Sequence, residues 1–217
     1  MNDWSLVYDG FDPSQEGHRE ALCTLGNGYF ATRGAAEESF ADDVHYPGTY
    51  LAGCYNRLDT TIAGRTVTNE DLVNCPNWLA LTFRVGDDER WFNLAGADIL
   101  EYRQELDLKN GVLTRRIAIA DPGGRRFNLV SRRLVCMTNP HLAAIDLAIT
   151  SEDWSGPITV RSGLDGSVIN AGVPRYRELN GSHLELIDCG EADNCLIFLL
   201  VRTSQSRIEI AEAARTC

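Results

Sequence analysis

The sequence lacks long apolar runs, a basic amino terminus and nearly all lysine. No apolar stretch approaches the roughly 20 residues that cross a bilayer. The first residues, Met1-Asn2-Asp3-Trp4, have neither the basic nor the apolar segment of an export signal. Acidic residues outnumber basic ones by 31 to 20, and the net charge of −11 disfavours nucleic acid, whose phosphates bind Lys and Arg. We therefore expect a cytoplasmic protein with no membrane and no nucleic-acid partner.

Paired metal-binding motifs are also missing. The seven cysteines are an odd number without a Cys-x-x-Cys pair, and the four histidines do not lie at metal-ligand spacing from them. Most of the thiols lie in apolar, strand-like segments, which is typical of small buried hydrophobes in a reducing compartment. We expect no metal site and no cofactor.

What is present indicates a folded chain built from β-strands. The hydrophobic fraction of 44% and charged fraction of 24% are ordinary for a globular protein, and 217 residues fit one large all-β domain. Residues 78–85 alternate between apolar and polar, with Leu79, Phe83 and Val85 on one face and Thr82 and Arg84 on the other. This alternation predicts a half-buried strand.

Turn residues separate further strands. Lys109-Asn110-Gly111 lies between strand patterns at 101–108 and 112–120, and Asn-Gly is typical of a tight hairpin. Asp121-Pro122-Gly123-Gly124 then leads into a strand over 126–137, which completes an antiparallel meander. Other strands are predicted at 141–150, 158–164, 183–187 and 195–203. Only residues 208–215 show helical character, so the pattern predicts an all-β fold, an antiparallel β-sandwich.

The segment 25–53 has the strongest functional signal. It combines Leu25-Gly26-Asn27-Gly28-Tyr29-Phe30-Ala31-Thr32-Arg33-Gly34 with Tyr46-Pro47-Gly48-Thr49-Tyr50-Leu51-Ala52-Gly53. Glycines permit close approach to the backbone, and Asn, Tyr, Thr and Arg offer the polar and flat surfaces that recognise sugars. The candidate pocket residues are Asn27, Tyr29, Arg33, Thr49, Tyr50 and Asn56. The alternative is that these side chains only fix turns and pack against another domain.

Together with 4–11, 20–28, 69–78, 106–115 and 164–170, this segment resembles the amino-terminal domain of the family 65 glycoside hydrolases and phosphorylases. The resemblance implies a large antiparallel sandwich, a supersandwich similar to galactose mutarotase, over residues 1–204. Residues 205–217 would begin a linker toward a helical catalytic domain. In that family the helical catalytic domain is a barrel of α-helices that carries the Glu general acid and the phosphate site. The resemblance therefore implies no catalytic residue in this chain.

The resemblance also implies partners. They are an α-linked glucose disaccharide such as maltose, trehalose or kojibiose, bound by the parent enzyme, and the helical catalytic domain itself. Inorganic phosphate is the co-substrate if the parent is a phosphorylase. A homodimer is a further expectation, because the aromatic residues of 25–55 offer apolar area for self-association.

Two other functions stay open. A free-standing carbohydrate-binding module needs an exposed aromatic platform, for which Trp91 and Trp154 are the candidates. A mutarotase-like enzyme needs a His and a Glu that exchange protons with the sugar, and His183 and Glu185 lie two residues apart. Whether the chain alone is an enzyme is therefore left open by its sequence.

Charged clusters are expected to be solvated. Glu37, Glu38, Asp42 and Asp43 form an acidic loop, and exposed clusters of this kind are usually plain surface. The doublets Arg115-Arg116, Arg125-Arg126 and Arg132-Arg133 place at most one arginine on each face of a strand. We expect these arginines to be solvated or to form salt bridges between domains, with anion binding as the alternative.

Overall fold

The computed structural model describes residues 4–171, 173, 177–193 and 195–217, and nearly all regular structure in them is antiparallel β-sheet. The strands are β1 (Ser5–Asp9), β2 (Leu25–Gly26), β3 (Phe30–Thr32), β4 (Thr49–Leu51), β5 (Tyr55–Ile62), β6 (Arg65–Leu72), β7 (Leu81–Val85), β8 (Asp98–Asp107), β9 (Val112–Ala120), β10 (Arg126–Val135), β11 (Ala143–Ser151), β12 (Ile158–Ser162), β13 (Leu184–Asp193), β14 (Leu196–Thr203) and β15 (Glu209–Arg215). One α-helix, α1 (Glu16–Leu22), and two short 3₁₀ helices (Pro13–Gln15 and Leu94–Gly96) occur in the described residues. None of the described helices is long and apolar enough to cross a membrane.

The largest sheet has five strands in the order β1-β8-β9-β10-β11. Its central meander confirms the predicted hairpin and the predicted second turn. Gly111 has φ +66°, which a side chain with a Cβ rarely adopts, and the flanking strands pair Leu106 with Leu113. The order β8-β9-β10 within this sheet thus follows from the chemistry of two turns.

Four smaller sheets complete the all-β sandwich: β2-β3-β4, β5-β6, β12-β7 and β13-β14-β15. An aromatic core forms where Phe83 of β7 meets Tyr102, Ile119 and Phe127 of the five-stranded sheet. A second core joins the β13-β14-β15 sheet to Cys54, Val73 and Cys75. A third packs Cys23 and Leu25 on Leu106, Leu113 and Val135. Segment 20–56 therefore lies against strands from distant parts of the sequence.

Two elements differ from the sequence prediction. Residues 209–215 were expected to have helical character, but they form β15 and pair with β14, with Ile210 opposite Val201. Pairing along an open strand edge here outweighs the helical propensity of Ala and Glu. Conversely, α1 was not predicted, although Asp12 and Pro13 before it are ordinary helix-start residues. The boundary between a sandwich over residues 1–204 and a linker over residues 205–217 stays a prediction.

Candidate functional site

A surface cavity of about 520 Å³ lies between residues 41–47 and residues 168–171, beside the glycine-rich segment. Its polar wall is formed by Arg33, His45 and Tyr46. Beneath them, the buried Glu20 of α1 accepts a hydrogen bond from the backbone N–H of Tyr46 at 2.9 Å. The other Glu20 oxygen lies 2.7 Å from His45 Nδ1. A single buried carboxylate thus holds the His45 side chain and the Tyr46 backbone of the cavity wall.

His45 is one titratable group of this cavity, which Asp42 and Asp43 also line. The hydrogen bond that His45 donates to Glu20 raises the pKa of His45, while partial burial acts in the opposite direction. Because Nδ1 is held by the carboxylate, Nε2 is the ring atom left to meet a ligand. A histidine oriented in this way can donate a hydrogen bond to a hydroxyl or take up its proton.

Arg33 fixes the geometry of the same wall. Its Nε donates to the Tyr46 carbonyl at 2.8 Å and its Nη2 to the Gly17 carbonyl at 3.0 Å. The guanidinium lies 5.5 Å from the Tyr46 ring centroid. A Cβ on Gly48 would lie 3.0 Å from both Arg33 Cδ and Tyr50 Cε2, so this close packing requires glycine. Arg33 therefore ties the start of α1 to residues 46–48.

Tyr50 completes the network from below. Its hydroxyl donates to the Tyr46 hydroxyl at 3.2 Å, and burial raises the pKa of Tyr50. The Tyr46 hydroxyl in turn donates to the Ile169 carbonyl and accepts from the Ala171 N–H, each at 3.3 Å. Of the six predicted residues, Arg33 therefore lines this cavity and Tyr50 supports its wall through Tyr46.

Asn27 and Tyr29 lie elsewhere. Asn27 Nδ2 donates to the carbonyls of Cys136 and Pro140 at 2.8 and 3.0 Å, and its Oδ1 accepts the N–H groups of Tyr29 and Phe30. All hydrogen-bonding capacity of this amide is used by backbone. Tyr29 is 41% exposed and packs edge-on against His141 with ring centroids 4.4 Å apart.

Thr49 and Asn56 are buried and bonded within the domain. Thr49 Oγ1 lies 3.3 Å from Thr32 Oγ1, and its N–H donates to Asn74 at 3.0 Å. Asn56 is 1% exposed, and its Oδ1 accepts the N–H groups of Gln205 and Ser206. These contacts connect β4 and β5 to distant turns.

The His183 and Glu185 pair is not assembled into a site. His183 is 1% exposed, receives a hydrogen bond from Asn56 at 3.1 Å and faces Asp71 at 3.4 Å; burial lowers its pKa. Glu185 is exposed and pairs with Arg207 at 2.9 Å. These two side chains do not share a cleft in which a sugar could exchange protons with both, as a mutarotase requires.

Trp91 and Trp154 do not form an exposed platform. Arg161 and Arg84 lie 4.4 and 5.2 Å from the Trp91 ring centroid. Trp154 packs edge-on against Phe127 of the core at 6.2 Å. Both indoles are partly covered, which does not favour a free-standing carbohydrate-binding module.

The acidic loop contains a buried ion cluster that the sequence did not reveal. Arg115 donates to Glu38 and Glu37 at 2.8 Å each, and Arg133 donates to Glu37 at 2.5 Å. All four side chains are buried. Burial acts to raise the pKa of Glu37, but the attraction of Arg133 and Arg115 outweighs it and lowers that pKa to about 2. The expectation of solvated charges is therefore wrong for these four residues.

The opposite-face prediction is confirmed for two of the three doublets. Arg116 and Arg132 are exposed, whereas their neighbours Arg115 and Arg133 are buried; Arg125 precedes β10 and has no strand face. Alternation along a strand identified the two faces, but not which of them meets the loop.

Together, fold and cavity define an all-β sandwich domain with a polar surface site. The family model for "Glycosyl hydrolase family 65, N-terminal domain" matches residues 6–217, and the chain belongs to this family. The predicted resemblance is thus confirmed.

Similar proteins include large enzymes. An uncharacterised glycosyl hydrolase of Mycobacterium tuberculosis is 49% identical over 98% of this chain and 16% of its own length. The trehalose 6-phosphate phosphorylase of Lactococcus lactis is 32% identical over 99% of this chain and 26% of its own. The kojibiose phosphorylase of Caldanaerobacter subterraneus is 30% identical, over 96% and 25%. The chain thus spans about a quarter or less of the length of these relatives.

A solved structure described as a kojibiose phosphorylase from the human microbiome superposes with a TM-score of 0.83 at 20% identity. It covers 98% of this chain and 27% of the other. This likeness confirms the sandwich fold.

Proposed function

We propose that the chain is the non-catalytic amino-terminal domain of a disaccharide phosphorylase or hydrolase that acts on α-glucosides. The observation that carries the proposal is the family match over residues 6–217, with relatives named as phosphorylases of trehalose 6-phosphate and of kojibiose. The parent phosphorylase would use inorganic phosphate as its co-substrate, and this domain would need no cofactor. Its free thiols suit a reducing, cytoplasmic compartment.

The first role is to support a helical catalytic domain. Three large apolar side chains between residues 29 and 55 are 40 to 48% exposed: Tyr29, Val44 and Tyr55. We propose that they form one apolar surface, which is typical of an interface. The helical domain is the occupant that we propose for this region, with a second copy of the chain as the occupant in a homodimer.

The second role is to form one wall of the sugar pocket. Arg33, His45 and Tyr46 offer donors, an acceptor and an aromatic ring within one cavity, which suits a polyhydroxylated ligand. Their orientation depends on internal partners, Glu20 and Tyr50, so the wall is pre-organised. We propose that Thr49 acts at this wall indirectly, since its N–H donates to Asn74, which also lines the cavity. Asn27, Tyr29 and Asn56 would instead stabilise the domain outside the cavity.

Activity measurements test both roles. We expect the full-length protein to release glucose 1-phosphate or glucose from kojibiose, trehalose or maltose, and the 217-residue chain to release neither. In the full-length protein, His45→Ala should lower kcat/KM about tenfold, because the hydrogen bond of Nε2 to a sugar is lost from the transition state. His18→Ala, an exposed histidine outside the cavity lining, is the matched control and should leave kcat/KM unchanged. Turnover by the chain alone, or equal losses in the two variants, would contradict the proposal.

A further inference from the structure

The outer face of the β7-β12 pair carries two arginines side by side. Arg84 stands opposite Thr159, and Arg161 stands opposite Thr82 in the antiparallel register. Residues opposite one another in such a pair share a face, so Arg161 lies on the face of Thr82. Thr82 and Arg84 are two residues apart on β7 and also share a face, so both guanidiniums belong to the same surface. The Trp91 ring lies against both, 4.4 Å from Arg161 and 5.2 Å from Arg84.

Stacking on Trp91 leaves the hydrogen-bonding edges of these arginines available. A guanidinium stacks through its flat face, while its five N–H donors lie in its plane. Neither arginine forms an ion pair within the described part of the chain, although the protein carries 31 acidic residues. Arg84 Nε is buried and has no acceptor among the described residues. An arginine whose charge and buried donor are both unmet inside the domain is stabilised by an external anion at its remaining N–H groups.

A cavity of about 350 Å³ adjoins this face and is lined by Arg161, Thr82, Phe40 and Gly163. Its volume is at the lower end of small-molecule sites. Phe40 is 53% exposed and adds an apolar surface to the lining of this cavity. The site therefore combines cationic donors with one flat hydrophobic group.

Two carboxylates also line the cavity, and both have partners. Glu37 is neutralised by Arg115 and Arg133 within the ion cluster. Asp165 accepts the N–H and the hydroxyl of Ser167 through one oxygen, at 2.8 and 2.6 Å. With Arg84 and Arg161 counted, positive charge exceeds negative charge at this face, in contrast to the net charge of the chain.

We propose that Arg84 and Arg161 form an anion site for a phosphoryl group, supplied either by inorganic phosphate or by a small sugar phosphate. Two forked donors on a stacking base match the geometry and the double charge of this group. In the sugar phosphate, the ring packs on Phe40. The sugar part of this ligand rests on the proposed function, whereas the phosphoryl part rests on the two arginines alone.

Titration calorimetry on the 217-residue chain tests the site with inorganic phosphate, glucose 6-phosphate and glucose. We expect both phosphate ligands to bind and glucose not to. Arg161→Gln and Arg84→Gln should each weaken binding at least about tenfold, as expected when a hydrogen bond to a charged group is lost. Arg65→Gln is the matched control, an exposed arginine in another sheet, and should change the Kd less than about twofold. Thermal melts followed by circular dichroism establish that each variant is folded.

The ligands also distinguish the two sources of phosphate. If glucose 6-phosphate binds more tightly than inorganic phosphate, and Phe40→Ala reduces its affinity to that of inorganic phosphate, the ligand is a sugar phosphate. If the two compounds bind with equal affinity, the ligand is inorganic phosphate. Absence of binding at millimolar concentration, or equal effects of Arg161→Gln and Arg65→Gln, overturns the proposal. An inactive full-length protein would contradict the proposed function and leave this binding result unaffected.

Discussion

Replacing Arg133 by Gln should destabilise the domain far more than the same change at Arg132. The two residues are neighbours on β10, but Arg133 is 2% exposed in the ion cluster, whereas Arg132 pairs with Asp146 at the surface. Removing one partner of a buried ion pair costs about 3 to 5 kcal/mol, because the other charge stays buried and uncompensated. An exposed pair contributes only about 0.2 to 1 kcal/mol.

The protonation of Glu37 gives this prediction a pH dependence. Its pKa falls from the model-compound value of 4.5 to about 2 in the folded protein, a difference of on the order of 3 kcal/mol. Because the folded pKa is the lower one, this stability is present above about pH 5 and is lost as the pH falls toward 2. Without Arg133, the pKa of Glu37 moves back upward. The difference between wild type and Arg133→Gln should therefore be largest at neutral pH and should narrow below about pH 3.

Urea unfolding followed by circular dichroism measures these differences. At pH 7, Arg133→Gln should lower the unfolding midpoint by about 1 to 2 M, and Arg132→Gln by a few tenths at most. If Arg133→Gln is too unstable to purify, Glu37→Gln tests the same cluster against exposed Glu70→Gln, whose partner is Arg57. Equal midpoints for the buried and exposed variants, or a difference independent of pH, would refute the reasoning.

Three further predictions concern single side chains. Burial raises the pKa of Glu212 to about 8, so wild-type stability should decline as the pH rises from about 4.5 to 8, and Glu212→Gln should abolish that decline in pH-dependent thermal melts. Asn27→Ala should lower the free energy of unfolding by about 1 to 3 kcal/mol, because it frees four backbone groups; an unchanged urea midpoint would contradict the contacts described. Gly48→Ala should cost about 1 to 3 kcal/mol through overpacking, whereas Gly96→Ala, with open space at its Cβ, should not; similar melting temperatures would speak against tight packing at residue 48.

Local chemistry predicted the central sheet. The Asn-Gly turn at residues 110–111 and the alternation on both sides fixed three strands and their pairing before any tertiary contact was known. The same reasoning failed for residues 209–215, where Ala and Glu favour a helix and only the neighbouring β14 makes the strand preferable. Short-range signals are sufficient where the turn decides the structure and insufficient where a distant partner does.

Short-range signals likewise pointed to only some of the residues at the candidate cavity. Arg33 and Tyr50 lie in the predicted segment, but Glu20, which orients the cavity wall, lies on the helix that was not predicted. Glu37 looked like a surface residue because its arginine partners follow 78 and 96 residues later. The doublets on β9 and β10 gave a signal for this buried cluster, because neighbouring residues on a strand point to opposite faces and one of those faces is covered.

The ion cluster also has a consequence for synthesis on the ribosome. The loop that contains Glu37 is made early, yet its carboxylate has no cation to meet until residue 115 and then residue 133 have left the exit tunnel. Until then the loop remains without the ion pairs that it forms in the folded domain. The acidic loop within the first fifty residues therefore reaches its folded environment only after the middle of the chain has been synthesised. A pause in translation before residue 133 would prolong the exposure of this loop to solvent.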